Sequence, residues 1–94
     1  MKFLIVGLGN IGAKYESTRH NIGFKALDFV AEQSSAFFSD EKYGEISSFK
    51  YKGKNIFLLK PNTFMNLSGS AVRYWLTKLK IDVKNLLVIS DDLN

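Results

Sequence analysis

Three short runs of uninterrupted apolar residues punctuate the chain: Phe3-Leu4-Ile5-Val6, Ile56-Phe57-Leu58-Leu59 and Leu86-Leu87-Val88-Ile89. Apolar runs without alternation predict strands buried on both faces, as in a parallel sheet covered by helices. The first strand spans Lys2 to Gly7. Between the runs the period changes. Ile22 to Ser34 reads as a helix with Asn21 as its N-cap and Ala26, Phe29 and Val30 as its apolar face. Leu67 to Ile81 reads as a second helix, with Ala71, Val72, Trp75, Leu76 and Leu79 on one face and Asn66 or Ser68 capping its start. Gly69, early in that helix, costs about 1 kcal/mol relative to Ala, which a close approach to its backbone would explain. Tyr43 to Tyr51 alternates in part and Lys52-Gly53-Lys54-Asn55 is a turn signal, so this segment and the run at 56–59 predict a hairpin. Ala36 to Lys42 reads as a loop whose Phe37 and Phe38 cover helix and sheet. Lys60-Pro61-Asn62-Thr63, with the single proline, reads as the break after the second apolar strand.

Strand, helix, hairpin, helix, strand is an α/β order. It predicts a mixed, mainly parallel sheet with flanking helices, layered α/β/α. Residues 56–89 form a strand–helix–strand crossover, which makes those two strands parallel. A polar cluster follows each apolar strand: Gly9-Asn10, then Asn62-Thr63-Phe64-Met65-Asn66, then Asp91-Asp92. If all three strands are parallel, the clusters share the carboxyl edge, where open α/β sheets bind ligands.

Gly7-Leu8-Gly9-Asn10-Ile11-Gly12 after a strand matches the G-x-G-x-x-G dinucleotide fingerprint. The surroundings do not fit it. A dinucleotide site opens a helix at the third glycine, whereas Ala13 to Arg19 is polar and helical periodicity begins only at Ile22. The acidic residues in the right range, Asp28 and Glu32, fall on the predicted helix. The glycines read instead as a strand exit and a tight loop that delivers Asn10 and the single histidine, His20.

Composition narrows the class. The chain has 94 residues, 46% hydrophobic and 23% charged, which fits one small globular domain. No apolar run approaches the ~18 residues of a membrane span, and the N-terminus lacks a signal-peptide layout. There is no cysteine, hence no disulfide framework or thiolate chemistry. One histidine and no cysteine argue against a zinc or iron site. These features fit a soluble, cytoplasmic protein. The net charge of +4 is a modest excess, on its own more often a solubility feature than a nucleic-acid footprint. Lys78, Lys80 and Lys84 cluster at the end of the second predicted helix, where cations suit the dipole.

His20 near an aspartate is a general-base arrangement, in which the carboxylate sets the tautomer and supports the imidazolium. An amide from Asn10 suits a developing oxyanion. No Ser, Thr or Cys is specially placed as a nucleophile, so activated water is the simpler choice. Ordinary readings compete: His20 as a loop residue, Asn10 as a left-handed turn residue, Asp91-Asp92 as a cap or solvated loop, and Met65 as packing.

Three blocks carry a family resemblance. Val6-Gly7-Leu8-Gly9-Asn10-Ile11-Gly12 with Tyr15 and Thr18-Arg19-His20-Asn21-Ile22-Gly23 resembles the opening of bacterial peptidyl-tRNA hydrolase. Lys60-Pro61-Asn62-Thr63-Phe64-Met65-Asn66-Leu67-Ser68-Gly69 resembles its second signature, and Leu87-Val88-Ile89-Ser90-Asp91-Asp92-Leu93 the strand carrying its aspartate. The resemblance implies cleavage of the ester between a peptide and the 3′ ribose of tRNA. It implies His20 as the base that activates water, Asp91 as its support, and Asn10 as stabiliser or positioner of the scissile carbonyl. Asn66 and Met65 would contact the peptide, with Tyr15 and Phe64 lining the site. No metal or organic cofactor is implied. The chain departs from the family at Ile11, usually Pro, at Ser90, often His, and at Asn94, often Asp; none of these removes a proposed catalytic group.

Family members run to about twice this length, within the range of one domain, so residues 1–94 are expected to be the N-terminal part of such a domain. The expected partner is peptidyl-tRNA, through its acceptor end and its peptide, with no membrane. A sheet edge left open invites self-association, and weak or no activity is expected from this chain alone. The competing functions are a non-catalytic RNA-binding module and, less well supported, a nucleotide-binding domain.

Overall fold

The computed structural model describes residues 1–8, 22–62 and 68–90. Among them lie β1 (Lys2–Gly7), α1 (Ile22–Gln33), β2 (Ser39–Glu41), β3 (Gly44–Tyr51), β4 (Lys54–Pro61), α2 (Ser68–Leu79), a short 3₁₀ turn (Val83–Asn85) and β5 (Leu86–Ile89). The strands form one sheet in the order β2-β3-β4-β1-β5. β1 pairs parallel with both β4 and β5, while β2-β3 and β3-β4 are antiparallel. The mixed α/β sheet expected from the apolar runs is therefore present, with β1 in the middle of its parallel part, between β4 and β5.

Alternation along β1 and β4 explains the layers. Leu4, Val6 and Leu59 pack on one face with Trp75 and Ile81, joined by Val72, Leu76 and Leu79 of α2. Leu58 packs on the opposite face with Leu27 and Ala31 of α1, joined by Ile5, Ile56 and Phe49. Leu4, Val6, Leu27, Leu58 and Leu59 are completely buried, each worth about 1.5–3 kcal/mol of transfer free energy. The hairpin closes through Lys52 (φ 50°) and Gly53 (φ 80°), and positive φ at both central residues is what a type I′ turn requires.

Four details depart from the sequence expectation. The buried face of α1 runs through Gly23, Leu27 and Ala31, a strict i, i+4, i+8 stripe. Phe29 lies about 200° round the helix from Leu27 and is 62% exposed, so of the expected face Val30 packs against the core and Ala26 is half-buried. The segment read as a loop before residue 43 contains β2, and Phe37 is 87% exposed rather than covering the sheet. β4 continues through Pro61, opposite Gly44. Its ladder with β1 ends at Leu59, so the missing proline N–H takes nothing from that pairing. Finally, β5 is an edge strand: Leu87 and Val88 are 55% and 45% exposed, not buried on both faces. Around Gly69 no described atom lies within 4 Å of where a Cβ would stand, so the described structure supplies no close approach there.

Charged contacts tie the layers together. Lys60 on β4 reaches Asp28 on α1 at 2.7 Å and Glu45 on β3 at 3.8 Å, with its ammonium 4.2 Å from the Phe38 ring centroid. Lys2 donates to the Leu79 carbonyl at 2.9 Å, placing a cation at the carboxyl end of α2 where the dipole favours it.

Candidate active-site edge

The parallel strands β4, β1 and β5 end together. Gly7 stands opposite Ile89, and Val6 opposite Leu59. The Leu8 N–H donates to the Ile89 carbonyl at 2.8 Å. α1 begins at this same carboxyl edge, seated there by two facing glycines. A methyl on Gly23 would stand 2.6 Å from the Ile89 carbonyl oxygen and against the Leu8 backbone. A methyl on Gly7 would collide with the Gly23 backbone and the Leu27 side chain. Only glycine lets the helix approach the strand exit this closely. On the β4 side the Asn62 N–H donates to the Tyr43 carbonyl at 2.9 Å, and α2 starts six residues later at Ser68.

The expected site residues all fall outside the described residues. Asn10, Tyr15 and His20 lie in 9–21, Phe64, Met65 and Asn66 in 63–67, and Asp91 in 91–94. The chain on either side of these segments is described. Leu8 and α1 flank the first, Asn62 and α2 the second, and Ser90 precedes the third. Leu8, Gly23, Asn62 and Ser90 all stand at the carboxyl edge. The expectation that three parallel strands send their following polar clusters from one edge is thus borne out at the level of the strands. No group of three or more His, Asp or Glu converges among the described residues.

One surface next to this edge escaped the sequence reading. The Lys42-Tyr43 turn joins β2 to β3, with Tyr43 at φ 69°. It is clamped twice: by the Asn62 N–H on the Tyr43 carbonyl, and by the Trp75 indole N–H, which donates to the Lys42 carbonyl at 2.9 Å. The Tyr43 and Tyr74 rings meet edge to face with centroids 5.3 Å apart. Lys42 Nζ lies 5.4 Å from both ring centroids, and Lys78 Nζ lies 5.9 Å from those of Tyr74 and Trp75. Together they border an open groove of about 560 Å³ lined by Tyr43, Ser70, Arg73, Tyr74, Thr77 and Lys78. Its helix residues, 70, 73, 74, 77 and 78, run alongside the buried Ala71 and Trp75, with Tyr74 packed against Trp75.

Comparison with known proteins places this architecture. The family model described as Peptidyl-tRNA hydrolase matches residues 4–94. The chain is 58% identical over 94 residues to the peptidyl-tRNA hydrolase of Azobacteroides pseudotrichonymphae, covering 100% of this chain and 50% of that protein. It is 56% identical over 93 residues to the peptidyl-tRNA hydrolase of Bacteroides fragilis, covering 99% of this chain and 50% of that one. The crystal structure of peptidyl-tRNA hydrolase from Acinetobacter baumannii superposes with a TM-score of 0.89 at 33% identity, over 98% of this chain and 48% of that chain. The chain thus spans about half the length of the curated relatives it matches. In fold, and in sequence across nearly its whole length, it belongs to the peptidyl-tRNA hydrolase family.

Proposed function

We propose that the protein acts on peptidyl-tRNA, hydrolysing the ester between the peptide and the tRNA 3′ ribose. The observation that carries this reading is the family match over residues 4–94, on a sheet whose three parallel strands lead to Leu8, Asn62 and Ser90 at one edge. In this reading His20 takes a proton from the attacking water. Asp91 fixes its tautomer and stabilises the imidazolium. Asn10 donates its amide to the scissile carbonyl as charge develops on oxygen. Met65 and Asn66 contact the peptide, and Tyr15 and Phe64 line the site. Release of peptide and tRNA needs one water and no cofactor.

The 94 residues correspond in this proposal to the N-terminal part of the relatives' domain, with weak or no turnover of their own. The setting is cytoplasmic, where translation supplies the substrate; among the described residues no helix is long and apolar enough to cross a membrane. The same proposal includes self-association through β5. Among the described residues that strand pairs with β1 alone, and it exposes Leu87 and Val88.

Hydrolysis of an N-acyl-aminoacyl-tRNA, measured for the wild-type chain and for His20→Ala and Asp91→Asn, tests the assignment. Weak cleavage that falls at least a hundredfold in His20→Ala supports it. Cleavage indifferent to His20→Ala removes His20 from the mechanism. Salt-sensitive tRNA binding with no cleavage, also indifferent to His20→Ala, favours a non-catalytic RNA-binding module instead.

A further inference from the structure

The groove between the Lys42-Tyr43 turn and the outer face of α2 has no part in ester hydrolysis as proposed, yet it has a defined chemistry. Its lining among the described residues carries Arg73 and Lys78 and no carboxylate, and Lys42 stands at its rim above the two tyrosine rings. The nearby Asp40 and Glu41 lie on β2, and Glu45 is turned to Lys60. Ser70 and Thr77 add hydroxyl donors, and Tyr43 and Tyr74 add aromatic surface.

We infer that this groove holds an RNA strand, its phosphates on Lys42, Arg73 and Lys78 and a base against the tyrosine pair. The identity of the polyanion rests on the peptidyl-tRNA reading above. Three observations carry the placement. Guanidinium and ammonium groups with hydroxyls beside them supply the donors that phosphate oxygens accept, Arg73 by its two-pronged geometry and the lysines as point charges. Aromatic rings beside those cations supply the stacking surface that single-stranded nucleic acid uses regardless of sequence. The groove is also built on rigid supports. The Trp75 indole and the Asn62 N–H both hold the Lys42-Tyr43 turn, and Asn62 is the last described residue before the expected substrate segment at 63–67. A nucleic acid strand lying here would therefore pass the carboxyl edge, and the turn would couple the two surfaces mechanically. An acidic peptide would satisfy the cations but would leave the ring pair without a role.

The test uses the full chain and fluorescently labelled, deacylated tRNA, with binding followed by anisotropy between 50 and 200 mM salt. Wild type is compared with Arg73→Glu, Lys78→Glu and the double variant; both residues are exposed, and circular dichroism checks that each variant is folded. The double variant is expected to bind roughly tenfold or more weakly at 50 mM salt, with the slope of log affinity against log salt shallower by about 0.7–0.9 for each phosphate no longer neutralised. Unchanged affinity and slope in the double variant would overturn the inference while leaving the hydrolase reading intact. The expected loss together with ester cleavage that is indifferent to His20→Ala would support the groove and remove the catalytic assignment of the hydrolase reading. Competition by poly-glutamate as effective as by RNA of equal charge would overturn the assignment in favour of an acidic protein partner.

Discussion

Gly23 illustrates how one missing side chain can set the position of a helix. Its Cα faces the backbone of Leu8 and the Ile89 carbonyl, and Gly7 faces it in return. Because the crowding atoms are backbone, no rotamer change relieves it. Gly23→Ala is expected to destabilise the chain by about 1–3 kcal/mol, read as a lower urea midpoint at unchanged slope. Such a change would also lift the start of α1 from the carboxyl edge, so any hydrolysis should fall by more than the folded fraction. From sequence, Gly7 and Gly23 looked like parts of a loop motif. Their mutual contact needs the register of β1 against β5, which no local pattern contains. Phe29 fails for a related reason. Its apolar character put it on the core face, but the helix is rotated so that the small residues Gly23 and Ala31 flank Leu27 against the sheet, and close packing selects size over hydrophobicity there.

At the scale of elements, the strands were legible to the residue at β1 and β5, because unbroken apolar runs end at glycine or polar residues. α2 was legible too, because Ala71, Trp75 and their neighbours repeat at helical spacing and are buried as expected. β2 was not legible, since Ser39-Asp40-Glu41 has no apolar residue and owes its strand form to pairing with β3. The candidate site was legible only as strand exits and as the family resemblance; its side chains lie in 9–21, 63–67 and 91–94. The groove was hidden because it depends on the Lys42-Tyr43 turn meeting α2 across 33 residues. Trp75 makes that meeting, through its indole N–H on the Lys42 carbonyl. Trp75→Phe keeps most of the apolar packing and deletes the donor, so a loss of about 1 kcal/mol is expected from thermal or urea unfolding. If the turn supports RNA binding, tRNA affinity should drop further than Trp75→Phe lowers stability.

For the whole molecule, the two ends of the sheet differ in kind. β2 is short and carries Asp40 and Glu41, a composition that discourages a further strand. β5 carries Leu87 on one face and Val88 on the other, both exposed, beside a ladder that no further strand among the described residues fills. An apolar, unprotected edge favours pairing with another copy. Sedimentation at micromolar concentration should therefore show oligomers whose fraction falls in Val88→Lys. A compact monomer at all concentrations in the wild type would refute self-association through β5.

The place of β1 between β4 and β5 has a consequence for how the chain is made. The earliest of the five described strands is flanked on both sides, and both of its neighbours are encoded far downstream: β4 begins at Lys54 and β5 at Leu86. As the polypeptide leaves the ribosome, Leu4, Ile5 and Val6 must wait for more than fifty residues before their first ladder forms, and for more than eighty before the second. The β3-β4 hairpin, with its two-residue turn, can close alone in the meantime and offer β4 as a template. Parallel pairing across such separations is slow relative to local hairpins, and apolar strands left waiting are the segments that chaperones and misassembly compete for. The same arrangement that gathers three strand exits at one edge thus delays the pairing of β1 on its second side until β5 emerges.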